Sequence, residues 1–508
     1  MARSMPASTS STTSRRRRRG NSTRGAPPRA DSLQDGVELT RLLRAAGYDA
    51  ERIQERLATG DQLLARSPEL PAYLRRLGDA DELALLIRLF LLGVPVARGR
   101  FGELVNAQLR DRLTRAGLLV DEGEAVRGAA RIVPHDELLI ASDHAAADGH
   151  TDHVPGVHRP SVALAHMTVR GSGERALDLC TGNGIQAILL AAHADNVVAT
   201  DVNPRALAYA VFNVALNGFE NVETRLGSFF EPVDGEEFDL VVANPPYVIS
   251  PESAFLFRDG GLRGDAVSEQ VVRHAPRALA PGAFASLMIA WTLDSDDPMQ
   301  RPRSWLEGSA CDAFLLHTST DDPIETAAVW NRELADQPDA YADAIDRWLA
   351  YYADLGIEQL GYACLVLRKR DDGRDGWFET QQLPRAGLRP AGRHVRQLFE
   401  AQDRLASTEP QALLAQKLRV VDDAVVTQET RFADGRWRSD TLTLRLDTGL
   451  PFSAELDAKT ARIVRELDGS KTLGQVLAAA LEDRDEGDTA LALTRRMLAV
   501  GFLELVGG

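Results

Sequence analysis

Ala176-Leu177-Asp178-Leu179-Cys180-Thr181-Gly182-Asn183-Gly184 decides the reading of this chain. A short apolar strand runs into a glycine-bearing turn, and helical spacing begins near Ile185. Glycines take positive φ and let a ligand approach the backbone, and a helix N-terminus offers unpaired N–H groups. Any tight strand–helix turn would use the same residues. The next strand, Asn196-Val197-Val198-Ala199-Thr200-Asp201, adds a carboxylate 23 positions after Asp178. A carboxylate there can accept both ribose hydroxyls of a nucleoside cofactor. Asn203 then caps a new helix with Pro204 at its first position.

Further strands follow at Val222–Leu226, Phe238–Ala243, Ala283–Trp291, Ala313–His317 and Tyr362–Leu367, most of them separated by helical spacing. A long amphipathic helix, Ala340 to Leu355, precedes the last. This order predicts an α/β, doubly wound, mainly parallel sheet.

The chemistry lies in Asp239-Leu240-Val241-Val242-Ala243-Asn244-Pro245-Pro246-Tyr247. A buried strand ends in Asn-Pro-Pro-Tyr at the carboxyl edge of the sheet, where such folds bind ligands. Two prolines fix φ and donate no N–H, so the backbone presents acceptors, and Asn244 adds a side-chain carbonyl. Acceptors beside a flat aromatic suit a planar –NH2 group, in an amide or a nucleobase. Its lone pair is conjugated; hydrogen bonds from both N–H groups to Asn244 and Pro245 favour pyramidalisation and aim it at an electrophile. Tyr247 is expected to stack on the acceptor plane. Alternatively, the prolines merely terminate the strand.

The stretch from about Val157 to Arg368 resembles the S-adenosylmethionine-dependent methyltransferases of class I, with a seven-stranded Rossmann-like sheet. Within them it is most similar to the glutamine N5-methyltransferases that modify peptide-release factors. Asp178 to Gly184 matches the cofactor loop, Asp201 the ribose acid and Asn244–Tyr247 the substrate-amide motif. Val248 to Pro251 and Asp259 to Gly264 continue the pattern. The resemblance implies cofactor contacts from Asp178, Cys180, Thr181, Gly182, Asn183, Gly184, Asp201, Val202, Ser228, Phe229 and Asn244. It implies catalytic roles for Asn244, Pro245, Pro246 and Tyr247. Two departures stand out. Cys180 replaces the family's first loop glycine, which predicts a negative φ and an averted side chain. Ser228 replaces the adenine-contacting acid, leaving Phe229 to stack on the ring.

Four segments follow: an Arg/Ser-rich disordered tail (1–30), a mostly helical, winged-helix-like unit (31–140), the methyltransferase domain (141–370) and a small α+β winged-helix-like unit (371–508). In the last, a strand from Trp437 to Leu446 precedes helices near Ala458–Leu467, Leu473–Leu481 and Asp488–Val500, closed by Phe502–Val506. Thr472 caps the middle helix.

His144, His150, His153, His158 and His166 cluster with Asp143, Asp148 and Asp152. Their spacing matches no zinc pattern, so a loop closing over the cofactor's methionine end is expected rather than a metal site. Three cysteines exclude a disulfide scaffold. The longest apolar run, Leu83–Val96, falls short of the about 20 residues of a bilayer span, so a cytoplasmic protein is expected. The net charge is −16, yet residues 1–30 hold eight arginines and no acid. Beyond them stand 50 basic and 74 acidic residues, a formal charge of −24. Such a body is a poor non-specific phosphate binder, although the tail could serve as a nucleic-acid arm.

The expected function is therefore methyl transfer to a planar nitrogen, with a protein glutamine, such as that of a release factor, as the substrate. The alternatives are an adenine N6 or guanine N2 in RNA or DNA, and a non-catalytic cofactor-binding scaffold.

Overall fold

The computed structural model describes residues 27–28, 33–59, 69–78, 81–144, 150–252, 255–293, 296–383, 389–481 and 485–506. Apart from Pro27 and Pro28, the arginine-rich tail lies outside them.

The central sheet has strands β1 (Arg175–Leu179), β2 (Asn196–Asp201), β3 (Val222–Leu226), β4 (Phe238–Ala243), β5 (Leu279–Thr292), β6 (Cys311–Asp321), β7 (Leu360–Lys369) and β8 (Phe378–Gln382). Their order is β8-β6-β7-β5-β4-β1-β2-β3. β3 to β5 run parallel through β1 and β2, and β7 is antiparallel to both β5 and β6. Chain order reverses between β1 and β4, so their carboxyl ends flank the crevice where a parallel sheet binds ligands. Both faces are covered, which is why the inner strands are mostly apolar on both sides. Ala176, Val197, Leu240 and Val242 face one core, and Leu177, Val198, Val241 and Leu287 the other.

The sheet is α/β and Rossmann-like as expected, but it has eight strands rather than seven. The eighth, Phe-Glu-Thr-Gln-Gln, pairs with β6 at the sheet edge and lies in the segment assigned to the C-terminal unit. An edge strand buries little, so its sequence carries no apolar run to mark it.

Upstream, helices Leu33–Ala45, Ala50–Leu57, Leu70–Leu77 and Glu82–Leu86 lead to a three-stranded sheet of order Val96–Ala97, Ala125–Gly128, Leu119–Asp121. Helices Arg98–Leu104 and Ala107–Arg115 fill its crossover. This unit shares its core with helix Pro204–Leu216: Leu39, Phe90, Tyr209 and Phe212 belong to one buried cluster. Thr40 Oγ1 donates to the Leu216 carbonyl at 2.9 Å.

Downstream, helix Gly392–Ser407 packs Phe399 edge-on to Phe284 of β5 and Phe314 of β6. Strands Lys417–Val420, Asp468–Thr472 and Leu503–Leu505 form a second small sheet, with helices Ala458–Glu466, Leu473–Ala480 and Asp485–Ala499. Thr472 and Gln475 form a reciprocal cap. Strands Ala424–Ala433 and Arg436–Leu446 make a long hairpin around Asp434-Gly435, both with positive φ. That pair is a strong hairpin signal, and it marks the first strand, which the sequence reading passed over.

Candidate active site

A cavity of 270 Å³ opens over the carboxyl ends of β1, β2, β3 and β4. β1 delivers Cys180 to Asn183, β2 delivers Asp201 to Asn203, β3 delivers Gly227 to Phe229, and β4 delivers Asn244 and Pro246. The cover comes from His153 to Gly156, from His158 and Ser161, and from Leu256, Phe257, Asp259 and Gly260.

The loop after β1 is built from within. Asp178 does not line the cavity; its buried carboxylate accepts the Thr181 hydroxyl at 2.5 Å and the Ala187 N–H at 2.9 Å. Burial pushes its pKa up to about 7. Gly184 must be glycine, because its φ is +84° and a Cβ would stand 2.9 Å from Ala210 Cα. Asn183 ties the loop to its cover: its amide donates to the Pro155 carbonyl and its Oδ1 accepts the Ile185 N–H.

Cys180 corrects the expectation for its backbone. Its φ is +60°, in the left-handed region, as glycine's would be. The turn is needed so that the Thr181 N–H can reach the Thr200 carbonyl at 2.9 Å. The thiol lines the cavity, and burial, reinforced by the Asp201 and Asp178 carboxylates, holds it well above the usual cysteine range.

Asp201 Oδ2 accepts the Gly182 N–H at 2.9 Å, and Oδ1 accepts the Asn203 N–H at 2.8 Å. Each oxygen keeps a lone pair for a further donor. Val202 beside it is 53% exposed. Ser228 and Phe229 close the far end, Phe229 with a φ of +44°.

At β4, Asn244 Nδ2 donates to Ser161 Oγ at 3.4 Å. Among the described residues nothing donates to its Oδ1. The Pro245 carbonyl accepts the Tyr247 N–H at 2.8 Å, and Pro245 itself does not line the cavity. Tyr247 also departs from expectation. Its ring is buried in the core beside Tyr362, centroids 6.5 Å apart, instead of facing the cavity. The two prolines turn the backbone so that position 247 pairs with Asp259 and points inward.

The histidine-rich segment divides. His153 and His158 line the cavity, His144 turns to the Gly128 carbonyl at 3.2 Å, and His166 lies elsewhere. Burial lowers both His144 and His158 to about 4, so both are neutral at neutral pH. Asp143 is occupied by Arg205, the Tyr209 hydroxyl and the Val154 N–H. Asp148 lies outside the described residues. Among the described residues no three His, Cys, Asp or Glu are grouped to hold a metal, and no helix is long and apolar enough to cross a membrane.

The sequence reading missed Gln186, whose amide donates to the Ser161 carbonyl at 2.7 Å, and the structural demand on Gly260. A Cβ there would meet Val267 at 2.3 Å and the Pro246 carbonyl at 2.9 Å. The glycine itself was the available signal.

Against known proteins, the methyltransferase small domain model matches residues 160–300, and a domain of unknown function matches 45–129. The ribosomal protein uL3 glutamine methyltransferase of Bordetella pertussis is 33% identical over 249 residues, covering 44% of this chain and 76% of that protein. The chain belongs to the glutamine methyltransferase family of class I S-adenosylmethionine-dependent methyltransferases. The ribosomal protein uL3 glutamine methyltransferase of Bradyrhizobium diazoefficiens is 36% identical over 156 residues, covering 24% of this chain and 48% of that protein. The release factor glutamine methyltransferase of Salmonella typhimurium is 31% identical over 144 residues, 25% and 50%. The chain thus spans about half the length of the Bradyrhizobium and Salmonella relatives and about three quarters of the Bordetella one.

The cavity's chemistry fits that family's cofactor. Asp201 keeps lone pairs for two hydroxyls, Phe229 offers a ring face, and no lysine or arginine is among the described residues of the lining. A sulfonium therefore meets the Asp201 carboxylate and no like charge among the described lining, Asp259 being already paired with Arg258.

Proposed function

We propose that this chain transfers the methyl group of S-adenosylmethionine to the side-chain amide nitrogen of a glutamine in a protein. Asp201 binds the ribose, Ser228 and Phe229 the adenine, and the Cys180–Gly184 loop the rest of the cofactor. Bound cofactor supplies an electrophilic methyl group. Asn244 Oδ1 holds one amide proton, and the second lone pair of the Pro245 carbonyl, although Pro245 is not part of the cavity lining, takes the other as the glutamine enters, so that the nitrogen is aimed. Pro246 rigidifies that acceptor pair, and Tyr247 buttresses it from the core. Catalysis is then mostly alignment.

The observation that carries this reading is Asn244 Oδ1 at the end of β4, to which nothing donates among the described residues, in a cavity whose described lining holds no lysine or arginine. A nucleic-acid substrate would need cationic residues beside its phosphates. Here the mouth is apolar instead, with Val202, Leu256 and Phe257 all exposed. The helix–helix–strand–strand order of residues 98–128 supports a winged-helix-like docking unit, and the downstream small sheet supports a second.

The test is methyl transfer from labelled cofactor to folded release factor and to ribosomal protein uL3, beside deproteinised ribosomal and transfer RNA. Label in a protein glutamine is expected. Label in RNA alone, falling steeply with salt, would overturn the assignment.

A further inference from the structure

We infer that a second cleft, of 910 Å³, binds a phosphate-bearing ligand. It lies between the segment leading into β1 and the start of helix Gly392–Ser407, and shares no lining residue with the cofactor cavity.

Two contacts fix its walls. The Ala391 N–H donates to the His166 carbonyl at 2.7 Å. Gly392 comes so close that a Cβ would stand 2.0 Å from the Thr168 carbonyl. This places Arg170, Arg393 and Arg396 around one space. Arg170 Nε is buried with no hydrogen-bond partner among the described residues, and burial lowers the group's affinity for its proton. Neither Arg170, Arg393 nor Arg396 forms an ion pair among the described residues. Arg396 lies over the Phe284 ring at 5.0 Å and near Glu174, whose carboxylate it favours and which also accepts the Gly171 N–H. Between the arginines, helix Gly392–Ser407 begins at Ala391 with no side-chain cap, leaving its first N–H groups to the cleft.

Of the acids that line the cleft, Glu504 pairs with Arg419 at 2.5 Å, the exposed Asp422 lies 3.7 Å from the same arginine, and Asp423 takes the Thr448 hydroxyl, so Arg170, Arg393 and Arg396 outnumber the acids that Arg419 does not pair. A mostly buried guanidinium whose Nε finds no partner among the described residues is costly, because burial strips its hydration and nothing replaces it. A tetrahedral anion held by arginine forks and a helix N-terminus satisfies these donors together.

The experiment is calorimetric titration of the full chain, saturated with S-adenosylhomocysteine, using sodium pyrophosphate and, separately, a short single-stranded RNA. Pyrophosphate is expected to bind, more weakly as salt rises. Arg393→Gln should weaken it about tenfold, the scale of one charge-assisted hydrogen bond, and Arg170→Gln further. Tighter binding of RNA, lost in the same variants, would assign the phosphate to a nucleic-acid backbone. Tighter pyrophosphate would assign it to a small ligand. If Arg170→Gln does not fold, the exposed Arg393→Gln decides. No heat from either probe, or binding unchanged in Arg393→Gln, would overturn the inference.

Discussion

Asn244 Nδ2 donates to Ser161 Oγ across 83 positions of sequence, and this bond orients the amide that ends β4. With Nδ2 held, Oδ1 is left facing the cavity. The Ser161 hydroxyl lies 3.2 Å from His158 Nδ1, so the helix that begins at Arg159 sets the amide's direction.

Asn244→Ala should cut turnover by about 10²–10³ while cofactor affinity stays within a few-fold, as for loss of one preorganised polar group. Ser161→Ala should cost about tenfold in turnover, the scale of one hydrogen bond. In the double variant the Ser161 effect should vanish, since it acts through the amide. Steady-state kinetics with the methyl acceptor measures all three, and full additivity would refute the coupling.

Asp201→Ala should weaken cofactor binding by roughly 1–3 kcal/mol, the value of a charge-assisted acceptor. Calorimetry with S-adenosylhomocysteine reads it directly. Unchanged affinity would place the ribose elsewhere.

The left-handed backbone at Cys180 sets a steric rule. Cys180→Val should lower stability by about 1–3 kcal/mol, because a β-branched side chain is poorly accommodated at a φ of +60°. Cys180→Gly should stay within about 1 kcal/mol of the parent, since relieved strain offsets added unfolded-state entropy. Urea unfolding of both variants distinguishes this from a role for the thiol.

Acid should destabilise the fold through two histidines. His144 and His158 sit near 4 when folded against 6.5 in the free side chain. Between those values the unfolded chain binds protons that the folded one does not. Their stabilising contribution is thus complete above pH 6.5 and is lost as pH falls towards 4, about 3 kcal/mol for each. Asp178, raised to about 7, acts with the opposite sign: its term is present below 3.8 and lost as pH rises through 7. Urea unfolding from pH 7.5 to 4.5 should show a shallower acid loss in the double variant His144→Asn, His158→Asn. Parallel slopes in the two proteins would show that the rings titrate normally.

Much of this was legible in the chain. β2 and β4 are mostly apolar because both sheet faces are covered there, β3 is a polar edge strand, and the boundaries of β1 to β4 fall within a residue of the expected ones. Asp201 and Asn244 stand at strand ends and Gly184 caps the helix that follows β1, so topology gathers them at one edge. Local chemistry also fixed the caps at Asn203 and Thr472, where a side-chain oxygen meets a nearby N–H.

Other features needed the tertiary structure. The polar strand β8 gains its place only from the open edge of β6, and Tyr247 is drawn inward by the space beside Tyr362. Whether Cys180 takes a positive φ depends on where Thr200 presents its carbonyl, and whether Arg170 finds a partner depends on a helix more than 200 positions away. Sequence encodes interactions that repeat along a few residues. Contacts between distant segments depend on which surfaces remain once the sheet has formed, and no local pattern records that.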